Sequence, residues 1–251
     1  MPEIPKEDIA ALLRDKYRNA APAEALEQDL ARLAEGEPLA YVIGWIPFLT
    51  LRIRLDSHPL IPRPETEWWT NELIAHLRER FGEHSFSLLD LCAGSGAIGL
   101  AVLKAFPHAR VSFAELMPEH AAQIRENLEE NHLDPSRAQI CVSDLFDAVP
   151  GSFDVIAANP PYIPEGRALD ASVADHEPLE ALFAGSAGIS LIARIAQEAA
   201  MRLQPEGELW MECDTGNIGT AKTLLDAGGA ERAEIRTDQY GRPRFVVSYY
   251  P

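Results

Sequence analysis

The chain has 251 residues, 47% of them hydrophobic, which fits a globular protein built around one α/β domain. Its 39 acidic residues against 22 basic ones give a net charge of −17, which argues against unassisted binding to a phosphate backbone. No apolar stretch reaches the roughly 18 residues needed to span a bilayer, and the N-terminus lacks a signal-peptide pattern. The three cysteines and seven histidines lack metal-ligand spacing. We therefore expect a cytoplasmic protein without a metal.

The first 82 residues predict helices and a hairpin rather than a sheet. Apolar residues at helical spacing indicate two short helices between residues 6 and 35, divided by Pro22. The run from Tyr41 to Trp45 and the alternating segment from Phe48 to Leu55 then predict a hairpin. A proline-rich connector follows, and Pro64 is placed to open a helix that continues to about Phe81.

From residue 86 onward, strand patterns alternate with helix patterns. The predicted strands are Ser87–Cys92, Arg110–Glu115, Ala138–Ser143, Phe153–Ala158, Glu208–Cys213, and a final hairpin of Ala233–Thr237 and Phe245–Tyr250. The predicted helices are Ala97–Ala105, Pro118–Asn131, Ala187–Leu203 and Ile218–Ala227. This order predicts an α/β fold with a doubly wound, mostly parallel seven-stranded sheet. We divide the chain into a short helical region (1–35), a hairpin with a connector helix (36–82), and the α/β domain (83–251).

A glycine-rich loop follows the first strand of the α/β domain. Gly94, Gly96 and Gly99 match the spacing of a dinucleotide-binding loop, and Glu115 ends the next strand, where a carboxylate can bind ribose hydroxyls. Three interpretations of this loop are possible. It could be a tight turn that binds no ligand, or it could bind a nicotinamide dinucleotide or S-adenosylmethionine. Asp90 favours the last of these, because an acid placed there could receive the cationic amino group of the methionine end.

The fourth strand of the α/β domain is followed by Asn159-Pro160-Pro161-Tyr162. The prolines have no N–H donors, so backbone carbonyls are left facing whatever lies beyond the strand. Together with the side-chain carbonyl of Asn159, they supply two acceptors for an –NH2 group. Tyr162 adds an aromatic face for a flat substrate. The loop therefore predicts methylation of an amide or aromatic amino nitrogen, whose lone pair is a poor nucleophile.

These segments together resemble one enzyme family. The matching motifs are Gly36–Tyr41 with Gly44, Leu60–Glu67, Asp90–Ile98 and Asn159–Ile163. On them the chain resembles the HemK-type protein-glutamine methyltransferases, which act on the Gly-Gly-Gln loop of class I peptide chain release factors. Asn-Pro-Pro-Tyr is shared with adenine-amino methyltransferases, whereas the Ile61–Glu67 segment is not, and that segment carries the assignment.

The resemblance implies a class I methyltransferase fold, S-adenosylmethionine as cofactor, and release factors as partners. It implies cofactor contacts, besides Asp90, at Cys92, Ala93, Gly94, Ser95, Gly96, Glu115, Asp144, Leu145 and Asn159. It implies substrate contacts at Asn159, Pro160, Pro161 and Tyr162, with Asn159, Pro160 and Tyr162 as the catalytic residues. An adenine-amino methyltransferase of DNA or RNA stays open as an alternative, and a nicotinamide-dependent oxidoreductase is a weaker one. No membrane and no direct nucleic-acid contact is expected, and the oligomeric state is left open.

The chain departs from the family at three places. Cys92 stands where the family commonly has glycine, and Leu145 stands where an aromatic residue often packs near adenine. Only 35 residues precede Gly36, whereas the family usually has a longer N-terminal helical domain. The resemblance therefore predicts modest cofactor affinity and weaker docking of the release factor than in full-length relatives.

Overall fold

A computed structural model describes residues 4–164, 166–168, 171–183, 185 and 188–251. The helices are α1 (Lys6–Asp15), α2 (Ala23–Ala34), α3 (Leu39–Ile43), α4 (Pro64–Phe81), α5 (Ala97–Ala105), α6 (Pro118–Glu130), α7 (Ala171–Ala174), α8 (Ser190–Arg202) and α9 (Ile218–Ala227). The strands are β1 (Trp45–Phe48), β2 (Leu51–Arg54), β3 (Ser87–Leu91), β4 (Arg110–Glu115), β5 (Ala138–Val142), β6 (Phe153–Ala158), β7 (Leu203–Glu212), β8 (Arg232–Thr237) and β9 (Pro243–Tyr249). Short 3-10 turns lie at Pro135–Arg137 and Leu179–Ala181.

Seven strands form one sheet in the order β5-β4-β3-β6-β7-β9-β8. The first five of these run parallel, and β9 pairs antiparallel with both β7 and β8. This confirms the predicted doubly wound sheet with an antiparallel pair at its end. The chain winds outward from β3 through β4 and β5, then returns to place β6 on the other side of β3. A crevice for ligands opens beyond the carboxyl ends of the strands at such a reversal.

Two layers of apolar side chains cover the two faces of this sheet. Side chains alternate between faces along a strand, and in β3 Leu88 belongs to one buried cluster while Leu89 and Leu91 belong to the other. The first cluster includes residues of α4, α5 and α6, and the second includes residues of α8 and α9. Buried residues of the hairpin and of α4 lie in the first cluster together with the sheet. The three-part division of the chain stays a prediction.

The hairpin is present, but the predicted position of its first strand is wrong. Tyr41, Val42 and Ile43 lie in helix α3, and the antiparallel pair is β1 with β2. Pro38 precedes this helix, and Gly44 ends it with a φ of 91° in the left-handed region that glycine adopts readily. A run of five apolar residues carries no periodicity that separates a short buried helix from a strand, which explains the error.

From residue 86 onward the other bounds lie within two residues of the prediction, and those of β7 and α8 differ by more. Strand β7 begins at Leu203 rather than Glu208, because Leu203 pairs with Phe153 ahead of a register shift. The predicted helix Ala187–Leu203 is present as α8, while its first residue Ala187 lies outside the described part of the chain. Within the described residues, no helix combines the length and apolar character needed to cross a bilayer.

Candidate active site

The loop between β3 and α5 turns through the left-handed region of backbone space. Cys92, Gly94 and Gly96 have φ values of 59°, 53° and 80°. Glycine adopts such values without strain, whereas another residue pays about 1–2 kcal/mol. Cys92 therefore holds a conformation that favours glycine, which gives a physical reason for the glycine found there in the similar family. Burial also raises the pKa of the Cys92 thiol.

Gly99 brings α5 close to the sheet. A Cβ atom at this position would lie 2.4 Å from Cε1 of Phe113 and 2.8 Å from Cγ1 of Val111. The third glycine of the loop is thus required for packing of helix on strand, as in dinucleotide-binding folds. The helix N-terminus is held against the carboxyl end of the sheet, where Ala97 and Ile98 line the cavity described below.

Asp90 does not line the crevice in this structure. It is fully buried in β3, and its Oδ2 accepts a hydrogen bond of 2.8 Å from the N–H of Gly99. Its Oδ1 is buried without a hydrogen-bond partner among the described residues. Burial raises the pKa of this carboxyl to about 8, against the lowering effect of the Gly99 N–H, and nearby Glu115 raises it further. Contact of Asp90 with a cationic ligand stays a prediction.

Glu115 connects the end of β4 to the glycine loop. Its Oε2 accepts from the N–H of Gly94 at 2.7 Å, and its Oε1 accepts from the N–H of Met117 at 2.9 Å. Each carboxylate oxygen keeps a further lone pair. The side chain is buried to 6% exposure and lines the cavity beyond the strand ends. The carboxylate is therefore fixed in place with capacity to accept from ribose hydroxyls.

A largely apolar cavity lies beyond β3, β4 and β6. The predicted residues on its wall are Cys92, Ala93, Gly94, Ser95, Glu115, Asp144, Leu145, Asn159 and Pro161. Asp90 and Gly96 are predicted residues that the structure does not place on this wall. Leu60, Pro62 and Thr66 line it as well. The sequence marked these three only as part of a family motif, because nothing in their spacing indicates where the connector lies relative to the sheet.

The Asn-Pro-Pro-Tyr loop lines both this cavity and a second one. Pro160 and Tyr162 line the second cavity, together with Arg63 and residues of the following loop. Asn159, Leu60 and Ala181 line both cavities. The structure thus brings all four residues of the predicted catalytic loop to the junction of two neighbouring cavities.

A buried carboxylate that sequence reasoning missed lies behind this loop. Glu212 ends β7 with 1% exposure. Its Oε2 accepts from Thr66 Oγ1 and from Trp69 Nε1, both at 2.7 Å, and its Oε1 accepts from the Tyr162 hydroxyl at 3.1 Å. Burial raises the pKa of Glu212, and these three hydrogen bonds oppose that rise. The available signal was an acid at the carboxyl end of a predicted strand.

Two further buried side chains fix the surrounding segments. Glu177 accepts from Arg63 Nη2 at 2.6 Å and from the N–H of Ile61 at 3.3 Å. Asn217 donates from Nδ2 to the carbonyls of Tyr162 and Gly188, each at 3.0 Å. The connector before α4 and the loop after β6 are therefore tied to one another and to α9. Over the described ranges, no group of three or more His, Cys, Asp or Glu could hold a metal ion.

Comparisons with known proteins agree with this geometry. A family model described as "Methyltransferase small domain" matches residues 68–177. The release factor glutamine methyltransferase of Mycolicibacterium smegmatis is 35% identical over 225 residues, which cover 89% of this chain and 79% of the relative. The proteins of the same name from Rhodopirellula baltica and Deinococcus radiodurans are 33% and 35% identical, over 92% and 94% of this chain and 80% and 84% of their own.

Solved structures confirm the predicted class I methyltransferase fold. A methyltransferase from Pyrococcus furiosus has a TM-score of 0.59 at 17% identity, covering 89% of this chain and 98% of its own. A 16S rRNA methyltransferase of T. thermophilus has a TM-score of 0.55 at 21% identity, covering 76% of this chain and 44% of its own. At these identities the likeness concerns the fold alone.

Proposed function

The chain belongs to the release factor glutamine methyltransferase family, and from that premise we propose that it transfers a methyl group from S-adenosylmethionine to the side-chain amide nitrogen of a glutamine in a peptide chain release factor. The glutamine of the Gly-Gly-Gln loop is the proposed acceptor. Such a substrate would place the protein in the cytoplasm. The nicotinamide alternative has no support from the relatives.

One observation carries the proposal: Asn159 lies on the wall of both cavities. A methyl donor in the first cavity and an amide in the second would meet at this residue. Leu60 and Ala181 also line both cavities, so they border the same junction. Holding two reacting molecules side by side in the correct orientation accelerates the reaction between them.

The first cavity fits the proposed cofactor. Glu115 has free lone pairs for the two ribose hydroxyls, since its two backbone contacts use only one per oxygen. Asp144 and Leu145 line the same cavity and would border the adenine. Leu145 is buried and contributes an apolar side chain to that wall. The cofactor supplies an electrophilic methyl group at the junction.

The loop residues would prepare the amide nitrogen for attack. Asn159 Oδ1 and the Pro160 carbonyl would accept from its two N–H groups, which stabilises the positive charge that develops there. The ring of Tyr162 would lie against the flat amide. The nitrogen lone pair forms the new N–C bond, the S–C bond breaks with its electron pair left on sulfur, and a nitrogen proton then leaves to solvent. No strong base is needed before the transfer.

The test is methylation of a purified release factor by the full chain with methyl-labelled cofactor. We expect one methyl group on the Gly-Gly-Gln glutamine, located by mass spectrometry of peptides. A release factor with glutamate in place of that glutamine is the matched control, and it should stay unlabelled. Labelled adenine in DNA or RNA, with an unlabelled release factor, would favour the adenine-amino alternative and reject the proposal.

A further inference from the structure

Thr66 occupies the first turn of α4 and faces the catalytic loop from behind. It is 3% exposed, and its Oγ1 donates to Glu212 Oε2 at 2.7 Å. An ionised carboxylate can only accept, so the hydroxyl proton of Thr66 points toward Glu212. The indole N–H of Trp69, which can only donate, holds the same oxygen at 2.7 Å. A proton taken up by Glu212 would therefore reside on Oε1, and the direction of the Thr66 hydroxyl would not change.

This direction determines how Asn159 is oriented. A hydroxyl has one proton, and once that proton is donated to Glu212 the oxygen of Thr66 can only accept. The Nδ2 of Asn159 lies 3.3 Å from this oxygen and donates to it. The opposite orientation would bring the carbonyl of Asn159 against a second acceptor. We call this chain of hydrogen bonds from Asn159 through Thr66 to Glu212 the relay. It turns Oδ1 of Asn159 away from Thr66, where it is available to a ligand in the two cavities that Asn159 lines.

We propose that Thr66 and Glu212 are positioning residues that set the orientation of the Asn159 amide, and thereby make the site select an –NH2 donor as the methyl acceptor. The proposal rests on the proposed function, in which Asn159 Oδ1 accepts from the glutamine amide. Thr66 in the first turn of α4 thus acts on the reaction through Asn159. Because Glu212 also holds the Tyr162 hydroxyl, one buried carboxylate fixes both polar side chains of the loop.

Threonine variants of α4 test this relay with a matched control. Thr66→Val keeps the shape of the side chain and removes the hydroxyl, and Thr66→Ser keeps the hydroxyl. Thr70→Val is the control, because Thr70 is equally buried one turn later and its hydroxyl donates only to the Thr66 carbonyl. In single-turnover methylation of a release factor, we expect Thr66→Val to slow the reaction by about tenfold, which is less than the roughly 100-fold for loss of an acceptor that contacts the reacting group itself.

The relay predicts a pattern that simple destabilisation would not give. Thr66→Ser should recover most of the rate, and Thr70→Val should stay within about threefold of the unmodified chain. Because Thr66 lines the first cavity, Thr66→Val should also weaken cofactor binding somewhat, but by much less than it slows the reaction. Thr66→Ala replaces Thr66→Val if the valine variant does not fold. An unmodified chain that methylates glutamine, together with equal rates in Thr66→Val and Thr70→Val, would overturn the inference while leaving the proposed function in place.

A second measurement decides the inference without any substrate. In nitrogen-15 NMR, the side-chain amide protons of Asn159 should shift on Thr66→Val and stay in place on Thr70→Val. Unchanged Asn159 signals in Thr66→Val would overturn the relay. If the unmodified chain methylates no glutamine, the proposed function fails by itself, and the NMR comparison still shows whether Thr66 orients Asn159.

Discussion

The two cavities that meet at Asn159 are built in different ways. The wall of the first comes mainly from consecutive strand–loop units of one sheet, and its Gly94–Glu115 hydrogen bond joins residues 21 apart in the chain. The second depends on segments brought together from far apart. The hydrogen bonds that hold the catalytic loop and the connector in place join residues 93, 114 and 146 apart in the chain.

The contrast shows that binding and positioning have different structural origins here. A cofactor loop follows from the register of adjacent parallel strands, so it forms wherever that sheet forms. The orientation of the catalytic loop depends instead on buried side chains from α4, β7 and the segment before α8. Substitutions in the first region should therefore change cofactor affinity, and those in the second should change the rate or the stability.

The sharpest test of this division is Asn159→Ala. Loss of one preorganised acceptor should lower turnover by about 100-fold or more, while cofactor affinity should change little because Glu115 and the glycine loop remain. Equal losses in kcat and kcat/KM would mark an interaction made in the transition state. Single-turnover methylation and thermal melting on one preparation measure both effects. A lower melting temperature with a normal rate would contradict a catalytic role for Asn159.

On the cofactor side, Glu115→Ala should weaken binding of S-adenosylmethionine and S-adenosylhomocysteine by about 1.5–3 kcal/mol, the range for hydrogen bonds to a charged group. Calorimetry with both compounds measures the loss. Glu119→Ala is the control, since Glu119 is an exposed acid in the first turn of α6 and should leave affinity unchanged. A normal affinity in Glu115→Ala would show that the cavity binds its ligand elsewhere.

The ion pair between Arg63 and Glu177, which joins the connector to the loop after β6, should contribute to the free energy of unfolding. Arg63→Met leaves the carboxylate of Glu177, which is 1% exposed, without its cationic partner. We expect a loss of about 2 kcal/mol in the free energy of unfolding, below the usual 3–5 kcal/mol for a fully buried pair because Arg63 is 31% exposed. Lys222→Met breaks the exposed pair with Asp226 and should cost less than about 0.5 kcal/mol. If urea denaturation gives the same loss in free energy of unfolding for Arg63→Met and Lys222→Met, the contact between Arg63 and Glu177 contributes no more to stability than an exposed ion pair.

The smallest expected effect is a pH dependence from Asp90, whose folded-state pKa of about 8 exceeds the value of about 3.9 for an unfolded chain. Between these values the folded protein holds a proton that the unfolded chain has released, so stability falls as pH rises. Asp90→Asn removes this titration and keeps an acceptor for the Gly99 N–H. Relative to this variant, the unmodified chain should lose about 1.4 kcal/mol of its free energy of unfolding between pH 6 and pH 7, because each pH unit between the two pKa values costs about that much. A difference in stability between the unmodified chain and Asp90→Asn that does not change with pH would contradict the raised pKa of Asp90.

The sequence predicted the sheet well because its local patterns and its tertiary structure agree. The bounds of α4, α5, β4, β6 and α9 match the prediction residue for residue. Helix α4 begins at Pro64, whose ring favours the first helical position. The short helix α3 was missed, because five apolar residues fit a strand equally well.

The site was predictable only where one segment carries it. The glycine loop and Asn159–Tyr162 could be recognised in the chain because each is continuous. Asp90 was recognised as well, yet its carboxyl faces the backbone of α5 rather than the cavity, since alternation along β3 fixes its side. The roles of Glu212 and Glu177 depend on hydrogen bonds to residues far away in the chain. No local spacing in the sequence indicates such partners.

The three donors on Glu212 also bear on how this chain can vary over time. Thr66, Trp69 and Tyr162 share one carboxylate, so the effect of changing one depends on whether the others are still present. Double substitutions among them should cost less than the sum of the singles, which is epistasis around a common hub. Lineages that lose one donor would then tolerate loss of the next more easily, so the three positions should drift together or stay fixed together.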